Sequence, residues 1–214
     1  MRMLLIRHGQ SLGNIEGRIQ DAVDPLTDLG RVQARALATA LADRNDITHL
    51  YASPLARAQE TAEIVGAAIG ITPVLVPGLA EIDAGIAAGQ LWVDWTAANP
   101  GLAAAMERDS SVLESWPGGE NAAIFQRRVL NTFQRLVTDH LDTDDVVAVV
   151  AHGGSLAWIA AHLHGDPLDR WPNRHATLEN CSVSELASGA DGSLVFASWN
   201  EIAHLTAPDT ARQA

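Results

Sequence analysis

The chain has 214 residues, 47% of them hydrophobic, and a formal net charge of −12. That length suits one α/β domain with an ordinary core. The negative charge argues against nonspecific binding to nucleic acid or to an anionic membrane, so an anionic ligand must be held by local positive charge.

All 14 basic residues are arginine, which excludes a Schiff-base lysine and a P-loop lysine but leaves guanidinium forks for phosphate. Cys181 is the only cysteine, so neither an intramolecular disulfide nor a cysteine-based zinc site can form. The opening apolar run is broken at Arg7, and no stretch is long enough to span a membrane, which makes the cytoplasm the simplest compartment.

Strand and helix patterns alternate, which predicts a three-layer α/β/α domain with a mostly parallel central sheet. Met3 to Ile6 reads as the first strand. A helix comes next, N-capped near Thr27, with Leu29, Val32, Ala36, Leu37 and Leu41 on its apolar side. His49 to Ala52 is a second strand, and the next helix begins with Pro54 in its first turn. Val74 to Val76 is a short third strand. Leu79 to Pro117, rich in alanine and tryptophan, reads as an insertion with one or two short helices over the active site.

Glu120 to Leu141 is amphipathic, with Ile124, Phe125, Val129, Phe133, Leu136 and Val137 facing the core. Val146 to Ala151 is the most apolar strand and is expected at the sheet centre, with Ser155 to His164 as its following helix. Asn180 to Leu186 alternates like a strand, with Cys181 as packing. Val183 to Leu186 and Leu194 to Ser198 read as a hairpin turned at Asp191-Gly192. The domain is expected to span residues 1–200, with a tail over 201–214.

Two histidines stand out in this frame. His8 and His152 each come directly after a wholly apolar strand and precede a glycine. Ligands of open α/β sheets bind beyond the carboxyl ends of the strands, so both can converge on one pocket. Phosphoryl transfer needs a nucleophile, positive groups on the phosphoryl oxygens and an acid for the leaving alcohol. His8 fits the nucleophile by position, and Arg7 and Arg57 would hold phosphate oxygens while keeping His8 neutral. His152 would donate to a nonbridging oxygen and Asn14 would add a side-chain donor. Gly9 and Gly153 would leave room for backbone approach to the ligand.

Several ordered stretches carry a resemblance. Arg7-His8-Gly9-Gln10-Ser11 with Asn14, Asp24-Pro25-Leu26-Thr27, Ser53-Pro54-Leu55-Ala56-Arg57, Glu81, Pro117-Gly118-Gly119-Glu120 and Ala151-His152-Gly153-Gly154 together resemble the histidine phosphatase (phosphoglycerate mutase-like) superfamily. The resemblance implies a phosphate pocket of Arg7, His8, Asn14, Arg57 and His152, with Gln20 as a further contact. It implies Glu81 as the general acid, in Leu79-Ala80-Glu81. Ala87 and Ala88 depart from the family's pattern downstream, which leaves Asp83 as a reserve acid, and Asp21 after Gln20 departs from it at the mouth.

The implied activity is a phosphohistidine phosphatase acting on a small phosphorylated metabolite, without metal or other cofactor, as a monomer or homodimer. The rival is a phosphoglycerate mutase using the same histidine. Its second anionic group would be poorly held by Arg108, the one basic residue between Ile82 and Pro117, against Asp83, Asp94, Glu107, Asp109 and Glu114. The Asn180-Cys181-Ser182-Val183-Ser184 stretch also resembles the phosphatase side of the family. A phosphate-binding module without turnover would not need this full set of groups, and a metal-dependent hydrolase is opposed by arginines beside the histidines. His162 and His164 are read as helix-end residues, His175 as a residue at the pocket mouth, and one or two of Trp92, Trp95 and Trp116 as lining it. His49, His140 and His204 have no evident chemical context.

Overall fold

A computed structural model describes residues 1–101, 104, 116–169, 171–189 and 193–206. In chain order its strands are β1 (Arg2–Arg7), β2 (His49–Ala52), β3 (Val74–Leu75), β4 (Val146–Ala151), β5 (Val183–Ser188) and β6 (Leu194–Glu201). Its described helices are α1 (Leu12–Glu16), α2 (Asp28–Arg44), α3 (Ala56–Ile69), α4 (Trp92–Ala98), α5 (Ala122–His140) and α6 (Gly153–Leu163).

The sheet runs β3-β2-β4-β1-β5-β6. β1 to β4 are mutually parallel, and the β5–β6 hairpin is antiparallel at one edge. β4 is buried along its whole length because helices cover both faces, as its unbroken apolar run requires. Side chains of alternate strand residues feed two separate cores. Met3, Leu5, Val147 and Val149 pack under α5 and α6, whereas Leu4, Ile6, Ala148 and Val150 pack under α2 and α3. The architecture is thus the expected three-layer α/β/α.

Caps agree with the local sequence. Thr27 accepts from the Gly30 N–H at 3.0 Å and Asn121 from the Ile124 N–H at 2.7 Å, each satisfying an orphan donor of a first turn. Some details differ from expectation. The buried stripe of α2 is Gly30, Ala34, Leu37, Ala38 and Leu41, with Leu29 exposed, because small residues let this helix approach the chain near Gln10. Pro54 stands before the Leu55 N-cap of α3 instead of inside its first turn. Cys181 is buried but not in a strand: it takes φ 57° in the turn before β5. Ile124 of α5 is exposed. The expected turn at Asp191-Gly192, the segment around Arg108 and most of the tail lie outside the described residues.

The insertion walls one side of the sheet's carboxyl end. The Glu120 N–H donates to the Asp83 carbonyl at 2.9 Å and the Ile86 N–H to the Pro117 carbonyl at 3.0 Å, tying its two ends together. Ala84, Ala87, Trp95 and Trp116 form a small core of their own there. Trp95 and Trp116 are therefore packing residues, and the expectation that a tryptophan lines the mouth is not met among the residues lining the cleft.

Candidate active site

β1 and β4 are neighbours in parallel register, with Arg7 opposite Ala151. The next residue on each strand is therefore a histidine at the same height. The ring centroids of His8 and His152 lie 5.1 Å apart, and each residue is only 1% exposed. Adjacent parallel strands that end in histidine place the pair together without help from any loop.

The hydrogen bonds assign the tautomers. His8 Nδ1 lies 2.7 Å from the Gly9 carbonyl, which can only accept, so Nδ1 carries the proton and Nε2 keeps a lone pair. Arg57 Nε–H donates to that Nε2 at 3.3 Å. His152 Nε2 lies 2.7 Å from Ser53 Oγ, which already accepts from the Leu55 N–H. The hydroxyl satisfies both neighbours by donating to Nε2, which leaves Nδ1–H of His152, buried and without a protein partner among the described residues, as a free donor.

Both histidines are held well below the ordinary histidine pKa. Burial is the larger cause in each, and the positive charges of Arg57 and Arg7 add to it. The arginines thus reinforce a neutrality that desolvation alone would favour. Arg57 lies in the first turn of α3, is 1% exposed and sends Nη1–H to the Asp21 carbonyl at 2.7 Å. Arg7 Nη1–H donates to the Leu178 carbonyl, while its buried Nε has no protein partner among the described residues. Burial lowers the pKa of both guanidiniums and the charge of Glu81 opposes that shift, so Glu81 sits in the same field as the two arginines.

Glu81 reaches the site from the insertion. Its Oε2 accepts from the Gly154 N–H, in the first turn of α6, at 2.8 Å, and its Oε1 from the Ile82 N–H at 3.0 Å. A Cβ on Gly154 would stand 2.4 Å from Glu81 Oε1, so only glycine admits the carboxyl there. Asp83 is exposed, and its Oδ1 caps the Gly85 N–H at 2.9 Å.

The remaining expected residues divide. Asn14 Oδ1 accepts from the Ser11 N–H at 3.0 Å and from Asn180 Nδ2 at 3.3 Å, which leaves its amide N–H₂ to donate. Gln20 lines the cleft and donates to Ser11 Oγ at 3.1 Å. Gly153 opens α6, and a Cβ there would make only ordinary contacts, 3.9 Å from Arg7 Nε. Gly9 has a packing role as well. Its N–H donates to Thr61 Oγ1 at 3.1 Å, and a Cβ there would meet the Gly30 carbonyl at 2.6 Å. Close packing of the segment after β1 against α2 requires that glycine. His175 is also reassigned, since it is buried against Asp166 at 2.8 Å and stacked on His164, away from the cleft lining.

Five further residues, none of them read as a site residue from the sequence, support the cluster. Ser53 sets the His152 tautomer, and Thr61 bridges the Gly9 N–H and the Arg57 carbonyl. Asn180 Nδ2 and the Cys181 N–H both donate to the His8 carbonyl, at 3.0 and 3.2 Å. Arg128 pairs with Glu120 and donates to the carbonyls of Gly78, Ala80 and Glu81, which fixes the backbone on which Glu81 rides.

A cleft of about 430 Å³ opens over this cluster. It shares Arg57 and Glu81 with the histidine pair, and its outer wall includes Asp21, Ile82, Asp83 and Glu120. Among the described residues its cations are Arg57 and Arg128, and Arg128 is spent on Glu120 and the three carbonyls. The cluster beneath this cleft offers a buried, unprotonated imidazole nitrogen, two guanidiniums, an imidazole N–H and a carboxyl.

Comparison with known proteins agrees with this chemistry. The sequence model of the histidine phosphatase superfamily (branch 1) matches residues 3–202. A glucosyl-3-phosphoglycerate phosphatase of Mycolicibacterium vanbaalenii is 36% identical over 80% of this chain and 77% of its own. A protein of Yersinia pestis named "Probable phosphoglycerate mutase GpmB" is 30% identical over 97% of this chain and 96% of its own. Among solved structures, a mycobacterial glucosyl-3-phosphoglycerate phosphatase superposes with a TM-score of 0.79 at 28% identity, covering 93% of this chain and 98% of that one. The α-ribazole phosphatase of Shigella flexneri gives a TM-score of 0.81 at 25% identity, over 94% and 96% of the two chains.

Proposed function

The chain belongs to the histidine phosphatase superfamily, and from that premise we propose that it hydrolyses a small phosphomonoester through a phosphohistidine formed on His8. The observation that carries the reading is the His8 ring, with Nδ1–H tied to the Gly9 carbonyl and its free Nε2 beside Arg57. The phosphoryl group would lie among Arg7, Arg57, Asn14 and the His152 Nδ1–H. His8 Nε2 forms the bond to phosphorus as the ester P–O bond breaks, and Glu81 gives its proton to the departing oxygen. Water then attacks the phosphohistidine, with the Glu81 carboxylate taking its proton, and phosphate leaves. No step calls for a metal, and two buried guanidiniums make the pocket hostile to a cation. We read residues 1–200 as one catalytic unit with 79–117 inserted, working in the cytoplasm.

The mutase reading is favoured by the Yersinia relative, and the cleft opposes it. A mutase must hold a second anion while its intermediate reorients, yet among the described residues the outer wall offers Asp21, Asp83 and Glu120 and a guanidinium already paired. A phosphate-release panel of metabolites, run with and without a bisphosphoglycerate primer and in excess chelator, separates the two. Release that needs neither primer nor metal is expected. Turnover that appears only with primer, as isomerisation without phosphate release, would reverse the assignment.

Arg57 gives a sharper check on the pocket. Arg57→Ala should lower kcat by about two or more orders of magnitude, the scale of one preorganised transition-state donor. Arg57→Lys should recover little, because one ammonium cannot reach both the Asp21 carbonyl and the His8 side of the pocket. Wild-type rates in Arg57→Lys would make Arg57 a packing residue.

A further inference from the structure

At the other end of the parallel strands, three side chains from separate segments point at one another. His49 opens β2, His140 closes α5 and Asp145 immediately precedes β4. His140 Nδ1 lies 2.7 Å from Asp145 Oδ2, and His49 Nδ1 lies 3.6 Å from Asp145 Oδ1. The two imidazole centroids are 4.5 Å apart, and one ligand atom from each of the three residues fits within 4.8 Å of the others. The pair of oxygens on one carboxylate is thus shared between two histidines. Among the described residues no arginine pairs with Asp145.

From this placement we propose that His49, His140 and Asp145 form a zinc site, separate from the histidine pair that the proposed phosphatase chemistry uses. Two imidazoles and a carboxylate are the nitrogen and oxygen donors that zinc takes. Zn–N bonds of about 2.0–2.1 Å hold tetrahedral ligand atoms roughly 3.3 Å apart, so the observed spacing closes with small side-chain shifts. His49 is half-exposed and would exchange its 2.9 Å contact with Thr48 Oγ1 for the metal, whereas His140 is buried.

Tyr51 supplies the outer support such sites use. Its hydroxyl lies 3.0 Å from His140 Nε2. When the metal takes the lone pair of Nδ1, the imidazole proton resides on Nε2, and Nε2–H donates to Tyr51 Oη, which orients the ring. Water completes the coordination from the solvent side. The bound ion would join the start of β2, the end of α5 and the approach to β4, holding a helix to two central strands.

Titration calorimetry with zinc on the full chain tests the site, with melting temperature as a second readout. One zinc per chain and a raised melting temperature are expected in the wild type and in His8→Ala. His49→Ala and Asp145→Asn should each weaken binding more than about tenfold, and Tyr51→Phe by about tenfold, the usual scale of an outer-shell partner. Phosphate release should be unchanged in metal-free His49→Ala, a half-exposed position at the opposite end of the strands from the cleft. The proposal is overturned if zinc does not bind, if His49→Ala and Asp145→Asn bind it as the wild type does, or if His8→Ala is the variant that loses it. None of these outcomes bears on whether His8 is phosphorylated.

Discussion

His8→Ala should lose turnover by roughly four or more orders of magnitude, as expected when a nucleophile is removed from a concerted set of groups. Acid quenching loses a phosphohistidine, so the intermediate should be trapped in base, as a label on the wild type that His8→Ala lacks. Among the described residues no neighbour can replace the ring. His152 is turned to Ser53 through Nε2, and Cys181 is buried with its thiol pushed up to about 12, chiefly by burial. The His8 backbone is held by Ala151, Asn180 and Cys181, so the variant should fold and its loss should be chemical. His8→Gln, which keeps a polar side chain of similar reach, should be equally inactive. The direction of the His8 shift adds a pH test. A nucleophile held below the ordinary histidine range stays unprotonated into acid, so the acid limb of kcat/KM should fall below that range. Residual turnover in His8→Ala above a trace, with label still present, would place the nucleophile elsewhere.

The histidine pair was legible because strand ends are legible. A buried parallel strand is a continuous apolar run, and β1, β2 and β4 lie within a residue of their expected limits. The residue just past such a run must sit at the sheet's carboxyl edge. Helix faces were less legible where small residues make the contact. Gly30 faces the Gln10 carbonyl, where a Cβ would stand 2.0 Å away, and hydrophobicity gives glycine no weight beside Leu29. Cys181 failed for a different reason. Alternation suggested a strand, but its N–H must reach the carbonyls of Arg7 and His8, and the chain takes a left-handed residue to aim it there.

The supporting groups were hidden by sequence distance. Ser53 and His152 are 99 residues apart, and Asn180 and His8 are 172 apart. Arg128 acts mainly on backbone carbonyls, which every residue has, so no side-chain pattern betrays it. Its partner Glu120 was visible within Pro117-Gly118-Gly119-Glu120 but had no role until the fold brought it against the Asp83 N–H, at 3.2 Å. His49, His140 and Asp145 were invisible for the same reason: three elements must assemble before they meet.

Glu81→Gln should separate substrates by their leaving groups. A general acid contributes typically about 10²–10⁴-fold when the departing oxygen is basic, and little when it leaves unaided. Hydrolysis of a glycerol or sugar phosphate should therefore fall by about that much, while a nitrophenyl phosphate loses considerably less. Some loss remains for the activated ester, because water attacking the phosphohistidine still needs Glu81 as a base. Glutamine keeps one of the two backbone bonds of Glu81, accepting from the Gly154 N–H but not also from the Ile82 N–H, so its folding should be checked by melting temperature alongside the rates. Gly154→Ala approaches the same group by geometry. Its new Cβ would displace the Glu81 carboxyl and should reproduce the leaving-group dependence in weaker form. Asp83→Asn is the control, since Asp83 is exposed and caps the Gly85 N–H beside the cleft. If Asp83→Asn shows the leaving-group dependence and Glu81→Gln does not, the proton comes from Asp83. Equal losses on both ester types in both variants would mean that neither carboxyl protonates the leaving oxygen, and that the seat of Glu81 on α6 serves the fold alone.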